Sequence, residues 1–271
     1  MKDFMGRTMA NISSVSNQKL KDGFSPLLPG FEYCNYNDLT DLENKIISNK
    51  EVVGVMFEPV QGEGGVNVPD SGYLKKVRKL CDKYNILMIL DEVQTGVGRT
   101  GSLYAFQHEG IIPDIITSAK GLGNGYPVAA CLAKKFVADL FTLGKHGSTF
   151  GGSPMACSVA NKVIDIVSRD GFYDNVIKMG EYLKDKLSDV LSEFDFVKNI
   201  RGKGLLIGVE FNAPVGYLRK LGLDSRIIFS VTQQNIVRIA PPLNITKKHC
   251  DEFAMNFLEM VKKSELVKSV V

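Results

Sequence analysis

The chain has 271 residues, of which 44% are hydrophobic and 23% charged. That is enough apolar material for the core of one or two domains, and it excludes disorder and collagen-like repeats. A formal net charge of +3, spread over scattered basic residues, gives no argument for a nucleic-acid partner.

Nothing along the chain approaches membrane-spanning length. The densest apolar run is "ILMIL" at 86–90, and the opening "MKDFMGRTMANISS" has no apolar signal region. No membrane partner and no secretory leader are therefore expected. Five cysteines, odd in number and without a C-x-x-C pair, read as reduced, mostly buried thiols of a cytoplasmic protein. The histidines at 108, 146 and 249 lie too far apart for a metal-site spacing.

In chain order, the apolar run "VVGVMF" at 52–57 predicts a buried strand that ends at "EPVQGEGG". Residues 71–85 place Leu74, Val77, Leu80, Cys81 and Tyr84 at helical spacing behind the start signals Pro69 and Asp70. "ILMIL" then runs into "DEVQTGVGRTG", and "DIITS" into "AKGLGNG". Buried strand, helix and buried strand alternate, the pattern of a mostly parallel α/β sheet with helices on both faces. Beyond residue 155 the pattern changes. Two long amphipathic helices are predicted, the second with Val176, Ile177, Leu183, Leu187, Val190, Leu191 and Phe194 on its apolar face, then short strands at "FVKNI", "GLLIGVEF", "RIIFSV" and "NIVRIA", and a last helix from about Lys247 to Lys262. This gives a large domain over 1–167 and a small C-terminal α+β domain over 168–271.

The three predicted parallel strands end in Glu58, Asp91 and, shortly after "DIITS", Lys120, each followed by glycines. Ligands of parallel sheets bind beyond the carboxyl ends of the strands. A carboxylate facing a lysine there suits a pyridine cofactor. The lysine amine attacks an aldehyde, and the buried acid keeps a ring nitrogen protonated. From spacing alone, Lys120 serves equally as a surface lysine in a turn and Asp91 as a helix N-cap. A dinucleotide loop does not fit, because "GLGNGY" is G-x-G-x-G, and the GK[ST] of a P-loop is absent.

The segments "FMGRTMA", "EPVQGEGGV", "LDEVQTGVGRTG", "PDIITSAKGLGNGYPVAA", "HGSTFGGSPMAC", "RGKGLLIGVEF" and "VRIAPPL" together resemble class III aminotransferases of fold type I. Within that family they are most similar to those acting on acetylornithine, and next to those acting on ornithine. The resemblance implies pyridoxal 5'-phosphate as cofactor and amino-acid and 2-oxoacid substrates. It implies transfer of the δ-amino group of N2-acetyl-L-ornithine to 2-oxoglutarate, and a homodimer that shares its active sites across the interface.

Residue by residue, the resemblance implies that Lys120 carries the cofactor as a Schiff base and shuttles a proton. Asp91 pairs with the ring nitrogen. Val93 packs on one ring face and Phe4 on the other, and Gln94 bonds the phenolic oxygen. Glu92 belongs to the same cofactor-binding stretch, with its side chain turned away from the ring nitrogen. Thr149 binds the phosphate of the neighbouring subunit's cofactor, with Ser148 beside its substrate. Arg7 holds the substrate's distant carboxylate and Arg238 the α-carboxylate of glutamate, with Glu63 pairing to Arg238 when the other substrate is bound.

Met5, Ser153 and Asn124 depart mildly from the family pattern. The family also carries a long N-terminal part with an S-G-[AT]-E-A phosphate-binding turn, which this sequence does not contain. The fold is therefore expected to be an incomplete large domain plus the small domain, with impaired cofactor binding. A non-catalytic remnant is the competing expectation.

Overall fold

The computed structural model describes residues 6–264 and 266, so Phe4 and Met5 lie outside the described residues. The chain divides into two compact units. The first comprises Met1–Val60, Pro69–Val97 and Ser102–Arg169, and the second Gln61–Val68, Gly98–Gly101 and Asp170–Val271.

The first unit contains helices α1 (Met9–Ser14), α2 (Gln18–Lys21), α3 (Leu39–Ser48), α4 (Tyr73–Tyr84), α5 (Lys135–Ala138) and α6 (Pro154–Val167). Its strands are β1 (Gly54–Phe57), β2 (Leu87–Asp91), β3 (Ile115–Ser118) and β4 (Ala130–Ala133), adjacent in that order. β1, β2 and β3 run parallel, and β4 returns antiparallel to β3.

Helix α4 forms because Leu74, Val77 and Cys81 recur on one buried stripe. It stops at Asn85, which takes a left-handed conformation (φ 52°) and donates its backbone N–H to the carbonyls of Cys81 and Asp82. The stripe packs with Leu42 and Ile46 of α3 against Met88, Leu90 and Ile116 of the sheet. Alternation along the strands sends Ile89, Asp91 and Thr117 to the opposite face.

The second unit holds α7 (Phe172–Leu191), α8 (Leu218–Asp224) and α9 (Lys247–Lys262) around the antiparallel strands β5 (Val197–Lys203), β6 (Leu206–Phe211), β7 (Ser230–Thr232) and β8 (Ile236–Ile239). Their order is β5-β6-β8-β7. Leu183, Leu187 and Leu191 of α7 and Phe257, Met260 and Val261 of α9 pack on Ile207, Val209 and Phe211. Each such side chain contributes roughly 1.5–3 kcal/mol relative to leaving it exposed. Gly180 lets α7 approach the β5–β6 turn, since a Cβ there would lie 2.2 Å from the Gly204 carbonyl oxygen.

Three expectations need correction. "RIIFSV" is strand only at its end. Arg226 turns left-handed at φ 58° and Ile228 stands exposed, so no pairing starts before Ser230. Ile177, predicted on the buried face of α7, is exposed on its flank, and Met179 and Gly180 take the buried positions. The cysteines are free but not mostly buried. Cys81 and Cys250 are buried, whereas Cys131 on the outer strand β4 and Cys157 on α6 are exposed.

Asp114 sets the start of β3. Its backbone N–H donates to the Met88 carbonyl (2.8 Å), and its carbonyl accepts from the Lys134 N–H (2.9 Å). Its buried carboxylate accepts from the Met88 N–H (2.8 Å), the Arg78 guanidinium (2.6 Å) and the Lys134 ammonium (2.8 Å). Burial alone would raise its pKa. The bonds from Lys134, Met88 and Arg78 outweigh that and hold it below the usual carboxylate value. A lowered folded pKa means stability that is present above the unfolded value of about 3.9 and lost as pH falls through the folded one. Asp114→Asn is expected to lower unfolding stability by about 2–3 kcal/mol at pH 7. Urea unfolding should show that gap close as the pH drops below 4, the ordinary carboxylate range. A gap that stays constant down to the acid limit would contradict the ionic role.

Candidate active site

The register of the parallel strands brings Asp91 level with Thr117, and it pairs Phe57 with Leu90 one residue earlier. Glu58, the residue after Phe57, is buried at that same end of the sheet. Asp91 ends β2 on the face away from α4 and is 7% exposed. Its Oδ1 accepts from the Val93 backbone N–H (2.9 Å) and the Thr117 hydroxyl (3.2 Å). Both bonds fall on one oxygen, which leaves Oδ2 as the acceptor for a ligand N–H. Burial pushes the Asp91 carboxyl above the usual range, and the Val93 and Thr117 bonds and the charge of Lys120 pull it partly back.

Lys120 follows β3 by two residues and opens a 3-10 turn, Lys120–Leu122. Its φ of 44° is left-handed, a conformation that an unbranched L-residue adopts only at a cost of roughly 1–2 kcal/mol. Such strain concentrates where a side chain must be aimed. Val97, with φ 54°, is a second such residue, and a Cβ on Gly121 would come within 3.2 Å of its Cβ. The glycines also serve the chain itself: a Cβ on Gly123 would meet the Tyr126 carbonyl oxygen at 1.9 Å.

Glu92 is fully buried. Its carboxylate accepts from the Thr95 hydroxyl and from the backbone N–H groups of Ala105 (3.0 Å) and Phe106 (2.9 Å). The side chain thus caps the 3-10 turn Ala105–Glu109, leaving only its backbone for contact with a ligand. Gln94 stands half-buried in the turn after Asp91. Arg7 is exposed ahead of α1, and Ser148 and Thr149 lie in an exposed turn before α6. There the Ser148 hydroxyl accepts from the Gly151 N–H at 3.0 Å.

In the second unit Arg238 lies on β8, 14% exposed, and its Nη1 is 2.6 Å from Glu63 Oε1. Its Nε donates to the Ser230 hydroxyl of β7 at 3.0 Å. The sequence singles out both members of this ion pair, 175 positions apart in the numbering. It misses Thr117, whose role follows from strand alternation once the register is known. It also misses the roles of Arg201, which opens the matched segment "RGKGLLIGVEF", and of Gln233, both of which grip the loop carrying Glu63.

The two neighbouring acids should respond oppositely to an amide. In Glu92→Gln one amide nitrogen must face a backbone N–H, leaving a buried donor unpaired at about 1–3 kcal/mol. In Asp91→Asn the amide oxygen can still accept from Val93 and Thr117. Both acids have raised folded pKa values, so removing either charge relieves a burial cost, but only Glu92→Gln adds an unpaired buried donor. Urea midpoints at pH 7 should therefore fall for Glu92→Gln and stay level or rise for Asp91→Asn. A larger fall for Asp91→Asn would contradict this assignment.

The aminotransferase class-III family model matches residues 1–261. The acetylornithine aminotransferase of Nitrosomonas europaea is 41% identical over 93% of this chain and 64% of its own length. That of Methanocaldococcus jannaschii is 42% identical over 92% of this chain and 62% of its own. Among solved structures, the ornithine aminotransferase of Toxoplasma gondii ME49 superposes with a TM-score of 0.90 at 35% identity, covering 95% of this chain and 62% of that one. The acetylornithine aminotransferase of Elizabethkingia anophelis gives 0.83 at 36% identity, covering 88% and 64%. The chain thus spans less than two thirds of the length of these four relatives. With its strand-end aspartate, its strained lysine and a family match over nearly its whole length, the chain belongs to the class III aminotransferases.

Proposed function

We propose that the protein transfers the δ-amino group of N2-acetyl-L-ornithine to 2-oxoglutarate, giving N-acetyl-L-glutamate 5-semialdehyde and L-glutamate, a step of arginine biosynthesis. The observation that carries the reading is the buried Asp91 carboxylate with Lys120 held in left-handed backbone after the adjacent strand. The identities to acetylornithine aminotransferases favour the acetylated donor. The fold likeness to the Toxoplasma gondii enzyme favours ornithine as the second reading.

The residues present fit pyridoxal 5'-phosphate by donor chemistry, since an anionic acceptor and a primary amine occupy adjacent strand ends. When bound, that cofactor supplies an electron sink for the carbon bearing the transferred amine. Asp91 would hold the proton on its ring nitrogen. Lys120 would hold it covalently and move the substrate proton. By resemblance, Val93 and Phe4 would face the ring and Gln94 would bond the phenolic oxygen, while Glu92 braces the stretch through the turn it caps. Arg238 receives the α-carboxylate of glutamate and Arg7 the distant carboxylate, as guanidinium forks do. Glu63 masks Arg238 when the other substrate is present. In domain terms, 1–167 is the cofactor-binding part and 168–271 the small C-terminal part.

We propose a homodimer in which Thr149 of one copy binds the cofactor phosphate of the other, with Ser148 beside its substrate. In the same stretch of sequence, residues 136–150, Phe136, Leu140, Phe141, Leu143 and Phe150 all stand exposed, which supports an interaction surface there. A cytoplasmic setting is supported by five free cysteines, two of them exposed. Among the described residues, no helix is long and apolar enough to cross a membrane.

Glutamate formation measured with saturating cofactor should be faster from N-acetylornithine than from ornithine. Both Lys120→Ala and Lys120→Arg should abolish it, because a guanidinium does not deprotonate to attack an aldehyde. Turnover at the parent rate in Lys120→Ala would refute the assignment, and faster turnover of ornithine would move it to the second reading. By light scattering, Phe141→Asp with Phe150→Asp should convert a dimer into a monomer. An unchanged mass would contradict the proposed interface.

A further inference from the structure

The loop that carries Glu63 is held by backbone bonds within it and by side-chain bonds from Asn67, Arg201 and Gln233. Its ends close on each other through Gln61 N–H to Asn67 O (3.0 Å) and Asn67 N–H to Gln61 O (3.2 Å). The carbonyl of Gly64 accepts from the Asn67 amide (2.9 Å). Those of Gly65 (2.6 Å) and Val66 (3.0 Å) accept from the Arg201 guanidinium, which is anchored in turn by Glu210. The carbonyl of Gly62 accepts from the backbone N–H groups of Gly65 (3.2 Å) and Val66 (3.4 Å), and that of Glu63 itself accepts from the Gln233 side-chain amide at 3.0 Å.

Gln233 makes that bond from an unfavourable position. It lies in the turn joining β7 to β8, with φ 51°, and Gln234 follows with φ 69°. Glycine takes such conformations at no steric cost, whereas a glutamine does not. What glycine lacks is a side chain that reaches the Glu63 carbonyl. The same turn leads directly into the strand that presents Arg238. Gln233 thus fastens the main chain of the acid to the hairpin bearing its guanidinium partner.

We propose that Gln233 and Arg201 are positioning residues for the Glu63–Arg238 pair. They immobilise the main chain at Glu63, so that only its side chain moves when a substrate carboxylate takes Arg238. The inference rests on the proposed role of Arg238 as a carboxylate receptor. Without Gln233, the acid would compete less well for the guanidinium, and a dicarboxylate would bind more tightly.

The test reads Arg238 directly, with no need for turnover. The rate of its modification by phenylglyoxal, followed by peptide mass mapping, should be low in the parent protein and high in Glu63→Gln. Gln233→Gly should raise it about fivefold, the factor that one hydrogen bond of ordinary net strength represents. Arg201→Lys should raise it as well, and glutarate should protect Arg238 at lower concentration in Gln233→Gly than in the parent. Gln234→Gly relieves the same kind of backbone conformation without touching the loop, and should leave the rate unchanged. Parent-like reactivity in Gln233→Gly, with Arg238 unmasked in Glu63→Gln, would overturn the positioning role alone. Equal increases in Gln233→Gly and Gln234→Gly would also overturn it, by tracing the effect to the turn. Failure of glutarate to protect Arg238 in any variant would instead overturn the carboxylate-receptor reading.

Discussion

The placement of the first unit's site depends on one buried carboxylate that performs no chemistry. Asp114 fixes where β3 begins relative to β2 and β4, because its backbone bonds to both sides and its side chain adds a further bond to the Met88 amide. Register in a sheet propagates along the strand, and a slip of one residue would turn every side chain to the opposite face. With Asp114 anchored, Thr117 arrives opposite Asp91 and on its face, while Ile116 turns into the core. Lys120 then emerges just past the strand end. The cations on Asp114 come from α4 and from the segment after β4, so helix, central strands and edge strand share one electrostatic tie.

The same logic separates two acids that are neighbours in sequence. Asp91 and Glu92 are both buried, and burial raises both pKa values. Glu92 uses both of its oxygens on the Thr95 hydroxyl and two backbone donors. Asp91 concentrates its bonds on one oxygen. One carboxylate is therefore committed to holding a turn, and the other retains acceptor capacity at the strand end. Charge and burial alone do not distinguish them; the count of donors per oxygen does.

Much of this was legible in the sequence because parallel strands buried on one side and helices with an apolar stripe leave strong patterns. The runs at 52–57 and 86–90 and the helix at 247–262 form the predicted elements, but the strand at Gly54–Phe57 is not buried as its apolar run predicts: Val53 and Met56 stand exposed. β4 escaped because "ACLA" is short and half of an antiparallel return, and α3 because its buried residues reduce to Leu42 and Ile46. In the site, residues whose role lies in their own chemistry could be named from type and motif. Thr117, Arg201 and Gln233 could not, since their roles follow from strand register and from a carbonyl that only folding brings near. Gln233 is further disguised, because the turn it occupies is one where glycine is the ordinary choice.

The most direct test of the account is to trap the cofactor where it attaches. The protein saturated with pyridoxal 5'-phosphate is reduced with borohydride, digested and mapped by mass spectrometry. A stoichiometric label is expected on the peptide containing Lys120. A label spread over surface lysines, or seated on another lysine, would contradict it.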